Sequence, residues 1–213
     1  MDLLHTLIDV FVHLDTHLGV IIDQYGTMTY VLLFLIIFCE TGLVITPFLP
    51  GDSLLFAAGT FAAKGNLQVG ILFFLFAFAG FLGDTTNYWI GSYVGRKVYR
   101  SNAWFLNHKH LENAHEFYEK NGARTIIFAR FIPIMRTFAP FVAGVSRMEY
   151  TTFLMYNLMG SFIWVSLFLF GGFFFGTIPW VEQNFSLVIL AIICATILPT
   201  LWRWMKHVTR KKS

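Results

Sequence analysis

Residues 128–144 read FARFIPIMRTFAPFVAG. The stretch is apolar enough to lie inside a membrane, yet it holds Arg130, Arg136, Pro133 and Pro140. No other feature restricts the fold as much. Arginine stays charged at any working pH. One at the centre of a membrane span costs about 2.5–3.5 kcal/mol on the insertion scale. Enough Phe and Ile could offset two of them, so energy alone does not exclude a span. Pro133 removes a backbone hydrogen bond and lets the chain turn, and Pro140 reads as a second break in the same segment. On an unbroken helix the two arginines would sit on different faces, roughly 120° from eclipsed.

The surrounding chain is of the same kind. Of its 213 residues 56% are hydrophobic and 13% charged, where soluble domains carry about 25% charged residues. Long apolar runs recur, so the sequence reads as one all-α, polytopic membrane domain. Residues 1–22 form an amphipathic stripe of Leu3, Leu4, Leu7, Phe11, Leu14, Leu18 and Ile21, with His5, Asp9, His13 and His17 opposite. The histidines read as the polar face of an interfacial helix rather than a metal site. Cys39 and Cys194 lie far apart in apolar runs, which suggests neither a disulfide framework nor a metal site.

Residues 28–63 are apolar but broken at TPFLPGD, where Pro47, Pro50 and Gly51 cluster. A straight helix over them would be about 54 Å long, against a bilayer core of about 30 Å. Two half-length helices meeting at the break fit, which predicts a re-entrant hairpin. Residues 67–93 read as a span, 96–124 as a polar basic segment, and 150–178 and 185–203 as further spans, before a basic tail at 204–213. The 96–124 segment carries Arg96, Lys97, Arg100, Lys109, Lys120 and Arg124. Both it and the tail should be cytoplasmic. Three crossings between them would place one outside. If 125–146 enters and leaves by the same face, two crossings remain and both basic stretches lie inside. This predicts a second re-entrant hairpin, opening to the cytoplasm, with the first opening to the other side.

The two hairpins resemble each other. FLPGDSLLFAAG (48–59) and FIPIMRTFAPFVAG (131–144) both start F-x-P, carry an ionisable residue just past the proline and end in A-G. Weak internal similarity with opposite orientation is the mark of an inverted-repeat transporter. The charges differ in sign: Glu40 and Asp52 in the first, Arg130 and Arg136 in the second. Backbone groups freed at such breaks need protein, water or ligand as partners, which predicts a polar cavity where the tips meet. Planar guanidiniums suit a phosphate or carboxylate. Burial favours a protonated carboxyl and a neighbouring arginine an ionised one, so Glu40 and Asp52 suit proton coupling. The plainer reading is two buried salt bridges holding the hairpins together. Asp84, in GDTTNYWIGSYVG, is open to three roles: proton relay, helix cap or partner to an arginine. Gly91 and Gly95 form G-x-x-x-G and read as helix packing.

Three blocks carry a resemblance: ETGLVITPFLPGDSLLFAAG, GDTTNYWIG and FARFIPIMRTFAPFVAG. In this order, and over nearly the whole chain, they resemble the signature blocks of the bacterial DedA family of inner-membrane proteins. The resemblance implies two re-entrant helices from opposite sides and a role in envelope homeostasis that depends on the proton motive force. It also implies transport of a polyprenyl-phosphate carrier lipid, undecaprenyl phosphate, between leaflets. Eukaryotic relatives are similar in scrambling phospholipids. The family's functional acids match Glu40 and Asp52, and its functional arginines match Arg130 and Arg136.

The expected function is therefore a lipid-phosphate translocase in the bacterial inner membrane, with a cytoplasmic C-terminus. Its partners would be membrane lipid and protons, with no nucleic acid, cofactor or metal, and a homo-oligomer left open. The rivals are a proton-coupled small-ion antiporter, with the arginines as structural partners, and a phospholipid scramblase. A lipid phosphatase would need a nucleophile–histidine pairing in the apolar core, whereas His108, His110 and His115 lie in the polar segment. A scaffold has no need of broken helices with charged tips.

Overall fold

The computed structural model describes residues 14–42, 51–100 and 122–194, and these are helical with no strand among them. In chain order the helices are α1 (Leu14–Tyr25), α2 (Met28–Gly42), α3 (Gly51–Ala63), α4 (Val69–Arg100), α5 (Arg124–Ala129), α6 (Pro133–Val145), α7 (Tyr150–Phe175) and α8 (Pro179–Gln183). A ninth, α9, covers Phe185–Cys194. Two are long and apolar enough to cross a membrane: α4 over Val69–Gly95, and α7. Backbone in lipid must satisfy its own hydrogen bonds, and an unbroken helix does so. α7 has no charged residue in its 26 positions.

Several expected boundaries shift. The span expected at 67–93 runs on as helix to Arg100, into the basic segment. The span at 150–178 ends at Phe175. The one at 185–203 is described as far as Cys194. The amphipathic stretch at 1–22 is described from Leu14 and continues to Tyr25. Residues 43–50, with Pro47 and Pro50, and 204–213 lie outside the described residues.

The chain divides into two compact units. The first comprises residues 1–36, 49–76 and 165–213, and the second residues 37–48 and 77–164. In the first unit, α3 packs on α1 and on the C-terminal half of α7. Gly59 of α3 abuts the backbone of Leu169 and Phe173, and Gly172 of α7 abuts the carbonyl of Phe56. Leu55, Leu72 and Leu169 are fully buried there. In the second unit, α6 packs on the C-terminal half of α4. Gly144 abuts the backbone of Tyr88 and Ser92, and Gly91 abuts the carbonyl of Phe141. The register is the same in both pairs. One glycine faces a carbonyl and the amide four residues on, and its partner glycine, three residues past that carbonyl, faces a carbonyl three residues before the first glycine. Backbones this close leave no room for a Cβ, as at the small-residue crossings of membrane helices.

α3 and α6 also end alike. After α3, Asn66 N–H donates to Phe61 O and Gly65 N–H to Ala62 O; after α6, Met148 N–H donates to Ala143 O and Arg147 N–H to Gly144 O. Both are the crossed pair of bonds that closes a helix through a left-handed residue. Gly65 takes that conformation at φ 88° without penalty, while Arg147 takes it at φ 59° with a Cβ.

The break in 125–146 falls between α5 and α6. Residues 130–132 continue α5 as a tighter turn, with Phe131 N–H donating to Phe128 O and Ile132 N–H to Ala129 O. Ile132 is extended, at φ −122° and ψ 111°, because the ring of Pro133 disfavours a helical residue before it. Pro133 then opens α6 at a position that needs no donor. Pro140 was expected to be a second break, but α6 runs through it to Val145. A proline inside a helix removes one bond, here to the carbonyl of Arg136, without ending the helix where packing holds it. Pro140 is buried.

Candidate functional site

Large apolar side chains cover much of the surface, while charged and amide groups sit within an otherwise apolar core. Phe74, Phe78, Leu167 and Phe174 are exposed, whereas Glu40, Asp84, Asn87, Arg130, Arg136 and Asn157 are buried. Exposed large apolar groups and buried polar ones are the informative observations, and together they describe a helical protein bathed in lipid. All six buried polar residues named belong to the second unit.

Arg130 sits at the C-terminal end of α5, with 2% of its surface exposed. Its Nη2 donates to Asp84 Oδ2 on α4, and to Asn157 Oδ1 on α7 at 2.6 Å. A longer bond of 3.4 Å reaches the carbonyl of Gly80. Two glycines make room for the side chain. A methyl at Gly80 would stand 3.2 Å from Nη1, and one at Gly160 3.2 Å from Cδ and Nε. Asn157 Nδ2 in turn donates to the Phe81 carbonyl at 3.1 Å and to Thr85 Oγ1 at 3.3 Å. That fixes which side of the amide faces the guanidinium. Arg130 Nε and Nη1, Asp84 Oδ1 and Thr137 Oγ1 are buried with no protein hydrogen-bond partner among the described residues. Such groups call for a water or a ligand.

Arg136, on the first turns of α6, donates from Nη1 to Glu40 Oε1 at 2.9 Å. Its Nε donates to the carbonyl of Arg130 at 3.1 Å. The break at Ile132 explains that second bond. A carbonyl at the end of α5 has lost its helical partner, and the guanidinium from beyond the break supplies one. Glu40 lies near the end of α2, which Asn87 holds against α4 by donating to the Thr41 carbonyl at 2.7 Å. Gly83 makes that approach possible, since a Cβ there would overlap Thr41.

Arg130, Arg136, Glu40 and Asp84 thus fall in one unit as two buried ion pairs, Arg130 with Asp84 and Arg136 with Glu40. Of the three roles open to Asp84, the geometry realises the partner to an arginine. Asp52 belongs to the other unit, in the first turn of α3, beside Gly51 at its start. Gly91 and Gly95 both face the α6 backbone. Sequence reasoning missed Asn157 and Trp164. Trp164 lies under both guanidiniums, its ring centroid 4.5 Å from Arg136 Cζ and 5.9 Å from Arg130 Cζ. A signal existed for each: a lone amide in the uncharged α7, and a tryptophan at mid-helix rather than in an interfacial belt.

Residues 49–174 match the model of the VTT domain, a stretch that holds Asp52, Asp84, both arginines and Asn157. Among similar proteins, protein DedA of Escherichia coli K12 is 49% identical over 210 residues, covering 97% of this chain and 96% of that protein. An uncharacterized membrane protein of Mycobacterium tuberculosis H37Rv is 39% identical over 180 residues, covering 83% and 79%. The inner membrane protein YqjA of Escherichia coli K12 is 34% identical over 154 residues, covering 71% and 70%. No solved structure matches the chain at a significant level. With a domain match over more than half its length and a near full-length relative at this identity, the chain is a membrane protein of the DedA family.

Proposed function

We infer that the protein is a transporter that moves a polyprenyl-phosphate lipid, undecaprenyl phosphate, between leaflets of the bacterial inner membrane. It draws on the proton motive force and supports envelope homeostasis, with no enzymatic step and no cofactor. One observation carries the reading: two buried arginines flank a helix break in one unit of a membrane protein, and Arg130 keeps two donor nitrogens without a protein hydrogen-bond partner among the described residues. A phosphate head group is the anion that planar donors of this kind suit. Buried ion pairs add little stability over apolar replacements, and charges inside a membrane most often serve transport.

Exchange follows from the charges. When Glu40 takes up a proton, Arg136 loses its counter-charge, and a lipid phosphate can take that place. When Glu40 releases the proton, the carboxylate returns and the phosphate leaves. The polyprenyl tail stays in lipid beside exposed rings such as Phe74, Phe78 and Phe174. Asp52 is the second proton-coupling acid, from the other unit. Two re-entrant hairpins in inverted repeat give the alternating geometry. Their support is the shared register of the glycine-packed pairs, the shared helix endings, and the basic stretches that favour a cytoplasmic C-terminus.

A proton-coupled small-ion antiporter is the second reading, favoured by the fact that each arginine already has an acid partner. Lysine substitution separates the two. Arg136→Lys keeps the charge but loses the planar fork, so a structural pair tolerates it and phosphate binding suffers by about tenfold. Binding of farnesyl phosphate to purified wild type, Arg136→Lys and Arg136→Ala is the measurement. If Arg136→Ala binds as tightly as wild type, the assignment to lipid phosphate is wrong.

A further inference from the structure

Trp164 is the largest fully buried side chain among the described residues, with 0% of its surface exposed. It stands near the middle of α7, away from the helix ends where tryptophan usually anchors a membrane protein. α4 closes against it at Gly80, where a methyl group would lie 3.6 Å from Trp164 Cζ3. Two cations share its ring: Arg136 Cζ at 4.5 Å and Arg130 Cζ at 5.9 Å from the centroid. Two buried guanidiniums repel one another, and each gains from the negative face of an indole, most of all where water is absent. Arg130 is also held by Asp84 and Asn157. Arg136 is bonded to Glu40 and to the Arg130 carbonyl, so its charge partner is an acid that can be neutralised.

We propose that Trp164 is a positioning residue of the anion site. Its ring holds the Arg136 guanidinium in place when Glu40 is neutralised, and keeps the two arginines close enough to act on one phosphate group. The proposal rests on the reading that these arginines bind a lipid phosphate, and it adds what keeps the site assembled between one phosphate and the next. Without the ring, the two guanidiniums lose a group they share, Arg136 shifts relative to Arg130, and the phosphate meets one arginine at a time. The dependence is on ring electron density as well as on ring size, which sets it apart from simple core packing.

The test uses the purified full chain in detergent, with farnesyl phosphate as probe and farnesol as uncharged control. Trp164→Phe should bind within about threefold of wild type, and Trp164→Leu should bind about tenfold or more weakly. Fluorinated tryptophan, introduced by growth on the analogue, withdraws electron density without changing shape. It should weaken binding in wild type and leave Trp164→Phe unaffected. An unchanged dissociation constant in the fluorinated wild type overturns the proposal, even if Trp164→Leu does not fold. So does a folded Trp164→Leu that binds like wild type. If wild type does not distinguish farnesyl phosphate from farnesol, the phosphate reading itself fails and takes this proposal with it. If wild type does distinguish them and fluorination has no effect, only the role of Trp164 fails.

Discussion

Asp84→Asn isolates the charge that holds Arg130. The replacement keeps size and one acceptor, so the change is electrostatic. In the wild type both side chains are almost wholly enclosed, at 2% exposed for Arg130 and 1% for Asp84. After the change Arg130 has only neutral acceptors: the introduced amide oxygen at position 84, the Asn157 amide and a long contact to Gly80 O. Removing one partner of a buried pair costs about 3–5 kcal/mol. The hydrogen bond that the introduced amide oxygen accepts returns about 1 kcal/mol of that, so the expected loss is about 3 kcal/mol. For a chain of this size that is a fall of roughly 6–12 °C in melting temperature. Arg130→Met should cost a similar amount by stranding Asp84. The double variant should be more stable than the sum of the singles predicts, by about 2 kcal/mol or more. Thermal unfolding of the four proteins in one detergent measures the cycle. Additivity within about 0.5 kcal/mol would show that the two side chains are not coupled, and the site as described would be wrong.

The helix pairs and their ends give further outcomes, all readable by the same melting assay. Gly144→Val and Gly59→Val each drive a side chain into a facing backbone, of Tyr88 and of Leu169 respectively; each should cost about 3 kcal/mol, and a tolerated change at one alone would break the equivalence of the two pairs. Arg147 sits at φ 59°, so Arg147→Gly should exceed Arg147→Ala in stability by about 1 kcal/mol, the alanine correcting for the lost charge. Lys64 and Glu182 pair at 2.6 Å but are 39% and 51% exposed; Lys64→Ala should change stability by less than about 1 kcal/mol, in contrast to Asp84→Asn.

How far the sequence spoke depended on the kind of feature. Arg130, Arg136 and Glu40 stood out because an ionisable group in an apolar run is costly and so is rarely accidental. The break before Pro133 was legible because proline acts on its own neighbours. Pairing was harder to read. Which acid meets which arginine depends on how α4 and α2 are rotated against α5 and α6, and one sequence does not encode that rotation. The sequence therefore leaves Asp84 open to three roles, and it groups Asp52 with arginines that lie in the other unit. Pro140 misled for a similar reason, since the proline costs one hydrogen bond and the packing around it decides whether the helix ends. Asn157 and Trp164 were overlooked because a single amide and a single indole do not disturb the apolar pattern of α7. Gly91 and Gly95 read as packing in the sequence, yet the match of the Gly91–Gly144 crossing to the one at Gly59 and Gly172 shows only in three dimensions.

The most direct test of the central claim is the leaflet accessibility of undecaprenyl phosphate in proteoliposomes, with and without an imposed pH gradient. Wild type, Arg136→Ala and Glu40→Gln would be compared after each is shown to be folded and inserted. The account predicts that wild type moves the lipid, faster with the gradient, and that neither variant does. Movement by Arg136→Ala at the wild-type rate, or none by wild type under either condition, would contradict it.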